Sequence, residues 1–393
     1  MRRTSSSRCV CAVVSQTKTQ IVPVARRLIE NPRHDLWNGG MTVARTTNTL
    51  KYAQKQGSRK ELIGTKVCLI GDIKGNIDEG MKITIMRYYE QLSKSSDVLL
   101  LNGKNGTSRK FWGDLLRFKP QIIHYVAGPT PLSFIVLKTL SLRCYGSKTI
   151  ISASHPLRTR FFPFVVPMCK PDLILIQSDA TEKLFTRLGC VTKFLPSAVD
   201  SSKFVPVSGA QKNALREQYG VPKEKFVILH VGNLKNGRNV QALKALQSEK
   251  TQVLAVSSTS VPEDKGVRQE LERAGCIVLS TFNDRIEEVY QLSDCYVFPV
   301  PPSHTFNSIQ MPLSVLEAMA CNVPVVTTKY GGLPKAFRSE DGLMFVDDQI
   351  SLAEAVDLVS RCPVIRNREK IAPYSWNAVV RDLITIYESL LAG

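Results

Sequence analysis

The sequence predicts an α/β chain of two doubly wound domains facing each other across a cleft. Three observations predict it. Short apolar runs recur, each followed by a glycine-containing or polar loop; stretches with helical periodicity separate them; and one polar, proline-bounded segment divides the series into two halves. The 393 residues are enough for two ordinary domains.

Regular patterning starts at Lys66. KVCLI (66–70) reads as a buried parallel strand, GDIKGNIDEG (71–80) as a glycine-rich loop and MKITIMRYYEQLS (81–93) as an amphipathic helix. DVLLL (97–101), PQIIHYV (120–126), KTIISAS (148–154) and DLILIQS (172–178) continue the strands. SFIVLKTLSL (133–142) and ATEKLFTRLG (180–189) supply helices, the second closed by a glycine. LPSAVDSSKFVP (195–206) breaks the pattern and reads as the interdomain linker. A second series follows: FVILHVG (226–232), QVLAVSS (252–258), CIVLS (276–280), CYVFPV (295–300) and VPVVTT (323–328), with helices expected between them. The division is a Rossmann-like domain over 63–194, a second Rossmann-like domain over 195–372 and a terminal helix over 373–393. Ligands of such sheets bind at the C-terminal strand ends, beside helix N-termini.

Residues 1–62 show neither period 2 nor period 3.6. They read as a basic, disordered extension, a transit peptide or translated upstream sequence. The formal net charge is +18, and the first 60 residues carry twelve Lys/Arg against only Glu30 and Asp35. The remaining excess suits anionic ligands, a membrane surface with acidic lipids, or merely a solvated surface. With the basic excess concentrated in an unpatterned segment and no readable RNA- or DNA-binding module, nucleic acid is not an expected partner. No apolar run approaches the roughly 18 residues of a spanning helix, so a cytoplasmic protein with peripheral contact at the inner membrane face is expected. The ten cysteines include no C-x-x-C pair, which fits a reducing compartment and no structural metal.

The most informative stretch is MPLSVLEAMACNVPVVTTKYGGLPK (311–335). Pro312 precedes a helix whose first N–H groups, those of Leu313 and Ser314, are free to hold an anion. Glu317, one turn in, is within reach of a sugar diol, or it merely complements the helix dipole. In HVGNLKNGRNVQAL (230–243), a strand runs through Gly232 into a polar loop with Asn233, Lys235 and Arg238 before an expected helix, an arrangement suited to a diphosphate or to simple solvation. His155 follows directly on a buried strand. In SASHPLRTRFFPF (152–164), Arg158 and the apolar residues after it make either an interfacial surface or a core element.

LEAMACNVPVVTTKYGGLP resembles, over its whole length, the nucleotide-sugar signature of the family 4 glycosyltransferases, a retaining group with the GT-B fold. The similarity extends over about residues 66–391. Val199, Asp200 and Phe204 match an interdomain V-D-x-x-x-F element, FNDRIEEVYQLSDCYVFPV (282–300) the helix and strand before the signature, and YSWNAVVRDLITIYESLL (374–391) the returning helix. The resemblance implies acceptor and nucleotide-sugar roles for the first and second domains and a terminal helix that crosses back to the first. It also implies a nucleoside-diphosphate-sugar donor (UDP-, GDP- or ADP-sugar), a glycan or lipid-linked acceptor, hexosyl transfer with retention, and no cofactor or required metal. A lack of any D-x-D pair in the body of the chain agrees with the last point. It implies that Glu317 binds the ribose, that Arg238 and Lys235 hold the diphosphate, that His155 lies beside the donor sugar, and that Glu79 and Gly80 stand for the glycine pair of the first loop. The sequence departs from the family at Ile309, where an acid is usual eight residues before Glu317, at Met311 and Pro312 in place of Phe-Gly, and at Asn233 in place of an arginine. These departures leave a non-catalytic GT-B partner subunit as the alternative.

Overall fold

The computed structural model describes residues 64–73, 80–106, 108–126, 128–155, 161–257, 262–280, 285–305, 309–347 and 350–393. The 1–62 extension, Glu79, Arg158 and Arg160 lie outside the described residues.

In the first domain β1 (Lys66–Gly71) leads to α1 (Gly80–Leu92), β2 (Asp97–Asn102), α2 (Arg109–Phe118), β3 (Ile122–Tyr125), α3 (Pro131–Arg143), β4 (Lys148–Ser152), α4 (Phe162–Met168), β5 (Leu173–Ile176), α5 (Asp179–Arg187) and β6 (Thr192–Phe194). After α6 (Gly209–Tyr219), the second domain runs through β7 (Phe226–Val231), a 3-10 helix (Val240–Leu246), β8 (Thr251–Val256), α7 (Lys265–Arg273), β9 (Ile277–Leu279), α8 (Ile286–Gln291), β10 (Cys295–Phe298), α9 (Leu313–Ala320), β11 (Val325–Thr328), α10 (Leu333–Ala336), β12 (Leu343–Val346) and α11 (Leu352–Ser360). It closes with α12 (Asn367–Ile371) and α13 (Trp376–Ala392). Both sheets have six strands, in the orders β2-β1-β3-β4-β5-β6 and β12-β11-β10-β7-β8-β9, and every pairing within them is parallel. The chain direction around each sheet reverses between β1 and β3 and between β7 and β10. A crevice therefore opens at the C-terminal ends of those strands.

Two differences from the sequence expectation have local causes. The apolar period of VQALKAL reads as an α-helix after Arg238, yet the segment is a 3-10 helix. Gly237 (φ +80°) and Asn239 (φ +56°) are both left-handed, and this twists the chain out of α geometry at the helix start. β6 and β12 are edge strands of three and four residues; β6 (Thr192–Phe194) is partly exposed and lacks an apolar run, whereas the apolar run LMFV of β12 is too short to be told from a loop or helix segment by pattern alone.

The chain crosses between domains twice, side by side. Val199 pairs in parallel with Ser375: the Val199 N–H donates to the Tyr374 carbonyl (2.9 Å) and the Trp376 N–H to the Val199 carbonyl (3.3 Å). Beyond this crossing α13 lies on the first sheet, where Trp376, Val379, Leu383 and Tyr387 share a core with Val67, Leu69, Ile85 and Tyr88. His124 on β3 fixes the packing, with Nδ1 2.7 Å from the Tyr387 hydroxyl and Nε2 2.7 Å from Ser152 Oγ. Burial holds this imidazole's pKa down at about 3, so it stays neutral.

Candidate active site

The C-terminal ends of β7 and β10 and the N-terminal turn of α9 converge on two buried tyrosines. Pro312 is the N-cap of α9 and has no side chain able to satisfy the N–H groups of the first turn, where Leu313 and Ser314 are half-buried. The Tyr296 hydroxyl lies 2.8 Å from Ser314 Oγ and 3.2 Å from the Val231 carbonyl, so it links the helix start to the end of β7. One turn further, the Tyr290 hydroxyl donates to Glu317 Oε2 at 2.6 Å, and the two tyrosine rings sit 5.9 Å apart. Glu317 and Ser314 are thus held on one helix face by a pair of phenols.

Burial raises the Glu317 carboxyl to about 7, while the Tyr290 hydrogen bond and the nearby Lys203 ammonium pull it partly back. Such a group gains from any ligand that brings hydroxyl donors to it. A carboxyl raised above its unfolded value of 4.5 binds a proton in the fold between about pH 4.5 and 7, and fold stability drawn from it is lost as pH rises through that window.

On β7, the His230 ring stacks on Tyr296 with centroids 6.5 Å apart. Its Nδ1 lies 2.9 Å from the Val297 carbonyl, which can only accept, so Nδ1 carries the proton and Nε2 is an acceptor. Burial, with a smaller contribution from the Arg238 charge, lowers this histidine to about 4 against the upward pull of the Val297 bond. Gly232 makes room for the ring: a Cβ there would stand 3.2 Å from His230 Nε2.

Two polar atoms here are sealed from water without a hydrogen-bond partner, His230 Nε2 and Arg238 Nε. Arg238 is half-buried and forms no ion pair among the described residues. A guanidinium desolvated in this way and left unpaired is costly unless an anion completes it. Because the segment after it is a 3-10 helix, an anion here is held by the side chain rather than by a helix dipole. Asn233 is half-buried and Lys235 is exposed at the mouth of the same loop.

On the first-domain side, His155 is half-buried just past β4. Its carbonyl packs against Gly128, where a Cβ would come within 2.3 Å. The adjacent Ser154 carbonyl accepts the Gln310 N–H at 2.8 Å, so the β4 end and the segment leading into α9 are directly joined. Ile309, half-buried, flanks that junction. Gly80 is the first residue of α1; its neighbour Glu79 is outside the described residues.

Gln310, Tyr290, Tyr296 and His230 were not singled out by sequence reasoning. Gln310 is fully buried and spans the domains: Ser178 Oγ donates to its Oε1 at 2.5 Å and Thr181 Oγ1 at 3.0 Å. Its signal in the sequence is a lone amide between Ile309 and Met311. The tyrosines and His230 lie inside apolar strand and helix runs, where a buried polar tip must find a partner. Lys335 adds an interdomain ion pair with Asp179 (2.5 Å) and Glu182 (2.8 Å).

Comparison with known proteins shows what the chain and its fold are similar to. Residues 225–361 match the model of the family described as glycosyl transferases group 1. The chain is 24% identical over 310 residues to the sulfoquinovosyl transferase of Arabidopsis thaliana, a match covering 74% of this chain and 57% of that protein. The chain spans about half the length of the curated relatives it matches. Among solved structures, sucrose-phosphate synthase from Thermosynechococcus elongatus superposes with a TM-score of 0.67 at 17% identity, covering 84% of this chain and 99% of that one. The Anabaena protein HepE in complex with UDP-glucose superposes with a TM-score of 0.64 at 16% identity, covering 82% and 99%. Both describe the GT-B arrangement of two facing α/β domains.

Proposed function

We propose that the chain, whose residues 225–361 match the glycosyl transferases group 1 model and whose fold resembles GT-B structures, transfers a sugar from a nucleoside-diphosphate donor to a glycan or lipid-linked acceptor. The observation that carries the reading is the unpaired, water-sealed Nε of Arg238 at the switch point between β7 and β10. That is where the diphosphate of a donor would seat. Uridine diphosphate is the first nucleotide to test, because the Anabaena structure was solved with UDP-glucose.

In this reading Glu317 accepts the two ribose hydroxyls, with Tyr290 fixing its orientation. The free N–H groups at the start of α9 and the Arg238 guanidinium hold the diphosphate. As the bond between the anomeric carbon and the diphosphate oxygen breaks, negative charge grows on that oxygen, and the preorganised guanidinium stabilises it. His155 faces the donor sugar from the first domain, and closure of the two domains excludes water that would hydrolyse the donor. Lys235 at the loop mouth attracts the incoming anion. Transfer of a hexose with retention of configuration is part of the proposal. Gly80, at the start of α1, belongs to the acceptor side in this reading.

Thermal stabilisation by UDP, GDP and ADP tests donor binding. A nucleotide at 100 times its Kd adds about 2.7 kcal/mol of stability, and Glu317→Ala should abolish most of that shift. A full shift in Glu317→Ala would remove the ribose role, and no shift with any nucleotide would favour the non-catalytic reading that Ile309 and Asn233 invite.

Donor affinity should also depend on pH. Glu317 offers both oxygens purely as acceptors to the two ribose hydroxyls only when ionised, and its carboxyl sits at about 7. Affinity should therefore weaken as pH falls through about 7, and Glu317→Gln should bind weakly with a flat profile. A wild-type profile that is flat between pH 6 and 8 contradicts this assignment.

A further inference from the structure

The first domain carries an apolar surface that none of the described elements covers. On α3, Leu132, Ile135 and Leu142 recur at helical spacing on the outward face, while Phe134, Leu137 and Leu140 face the core. On the neighbouring α4, Phe161, just before the helix, Phe164 and Met168 form a second outward stripe, while Phe162 and Val166 face inward. Leu132 is 68% exposed, Leu142 72%, Phe164 73% and Met168 78%. α3 and α4 pack against each other, with the Phe134 and Phe162 rings 5.7 Å apart beneath, so the two stripes form one patch. Isolated exposed apolar residues need no explanation, but paired stripes on adjacent helices do.

The two helices themselves carry charge of one sign, and the acids of α5, which packs beneath them through Phe185, are Asp179 and Glu182, both paired with Lys335. Residues 115–171 hold eight Lys/Arg and no Asp or Glu. Lys138 and Arg143 project from α3, and Lys170 follows α4; all three are exposed. An apolar face whose own helices present Lys138, Arg143 and Lys170 and no acid complements a surface that is apolar within and anionic at its boundary. A water-soluble protein partner or a second copy of this chain would more naturally meet such a rim with acids of its own, and residues 115–171 offer none.

We propose that the α3–α4 face docks on a bilayer containing anionic lipids, with the two stripes entering the headgroup boundary and the Lys/Arg rim meeting lipid phosphates. The patch starts at the cleft. α3 begins three residues after Gly128, which packs on His155, and α4 follows the same histidine in the chain. A chain docked this way presents its first-domain cleft edge to the lipid surface, so the acceptor is itself a membrane lipid or lipid-linked glycan. That last step rests on the proposed transferase reading, whereas the docking does not.

Vesicle flotation with the full chain tests the proposal, using phosphatidylcholine alone and phosphatidylcholine with about 30% phosphatidylglycerol. Wild type should float with the anionic vesicles, less so as salt is raised, and weakly or not at all with the neutral ones. The triple variant Leu142→Ser, Phe164→Ser, Met168→Ser should partition at least ~10-fold less, because these side chains are exposed and their loss does not disturb the core. Lys138→Glu with Lys170→Glu should lose the preference for anionic vesicles while keeping the wild-type melting temperature, which guards against a misfolded triple variant. Three results would overturn the proposal: no flotation of wild type, flotation unchanged in both variants (pointing to residues 1–62 instead), or a wild-type dimer made monomeric by the triple variant with no vesicle binding. Nucleotide-induced stabilisation, measured separately, keeps failure of docking distinct from failure of the donor reading.

Discussion

Arg238→Ala should lower turnover at least ~100-fold while leaving the melting temperature unchanged or slightly higher. The two halves of that expectation come from one observation. Among the described residues Arg238 has no acidic partner, and its Nε is cut off from water without an acceptor. In the unliganded fold the guanidinium is therefore a net cost, and its removal relieves that cost. In the donor-bound state proposed above it is, among the described residues, a half-buried cation placed to meet charge developing on the leaving diphosphate. A residue that stabilised the fold would show the opposite split, with stability lost first. Arg238→Lys should recover only part of the rate, since an ammonium cannot present the planar fork or the Nε–H donor. Donor hydrolysis by purified protein suffices as the assay where the acceptor is unidentified. Wild-type hydrolysis rates in Arg238→Ala would remove the residue from the mechanism.

Gly332→Ala should cost about 2 kcal/mol or more of stability and reduce transfer much more than nucleotide binding. Its backbone (φ −89°, ψ −6°) suits any residue, so the effect is one of space alone. A Cβ at Gly332 would lie 2.0 Å from the Gln177 carbonyl oxygen in the first domain. Backbone cannot swing aside as a side chain can, so the domains must part. Parting them strains the Gln310 bonds to Ser178 and Thr181 and the Lys335 ion pairs. Glu317, Arg238 and the start of α9 all belong to the second domain and keep their arrangement. Chemistry that needs His155 across the cleft does not. Equal losses in donor binding and transfer, or no loss of stability, would show that this contact does not set the domain spacing. Gly331 is a less clean probe, because its φ of +54° adds backbone strain to a Cβ 2.0 Å from the Gln310 carbonyl.

The fold was legible because buried parallel strands are nearly continuous apolar runs. KVCLI, FVILHV and CYVF announce themselves in that way, whereas β6, short, polar at two of three positions and partly exposed, does not. Glu317, Ser314 and Arg238 were legible as polar residues at the predicted strand and helix ends, and the structure gathers them around Tyr296. What the pattern hid was what orients them. Tyr290, Tyr296 and His230 count as core in any periodicity argument, and their polar atoms matter only once the strands are laid side by side. Gln310 was hidden for a related reason: its partners Ser178 and Thr181 are more than a hundred residues away, and no local signal pairs them. The misread helix after Arg238 shows the limit from the other side. VQALKAL has the right spacing for α, but the left-handed Gly237 and Asn239 decide the geometry.

α13 has a consequence for how the protein is made. It is encoded after the whole second domain, yet Trp376, Val379, Leu383 and Tyr387 complete the core of the first. During synthesis, which runs at roughly 5–20 residues per second, the first sheet emerges long before its covering helix. Val67, Leu69, Ile85 and Tyr88 stay uncovered on one face until the ribosome has passed residue 387. The domain translated first is therefore finished last. The nascent chain exposes an apolar sheet face throughout translation of the second domain, and this is the interval in which chaperones would engage it.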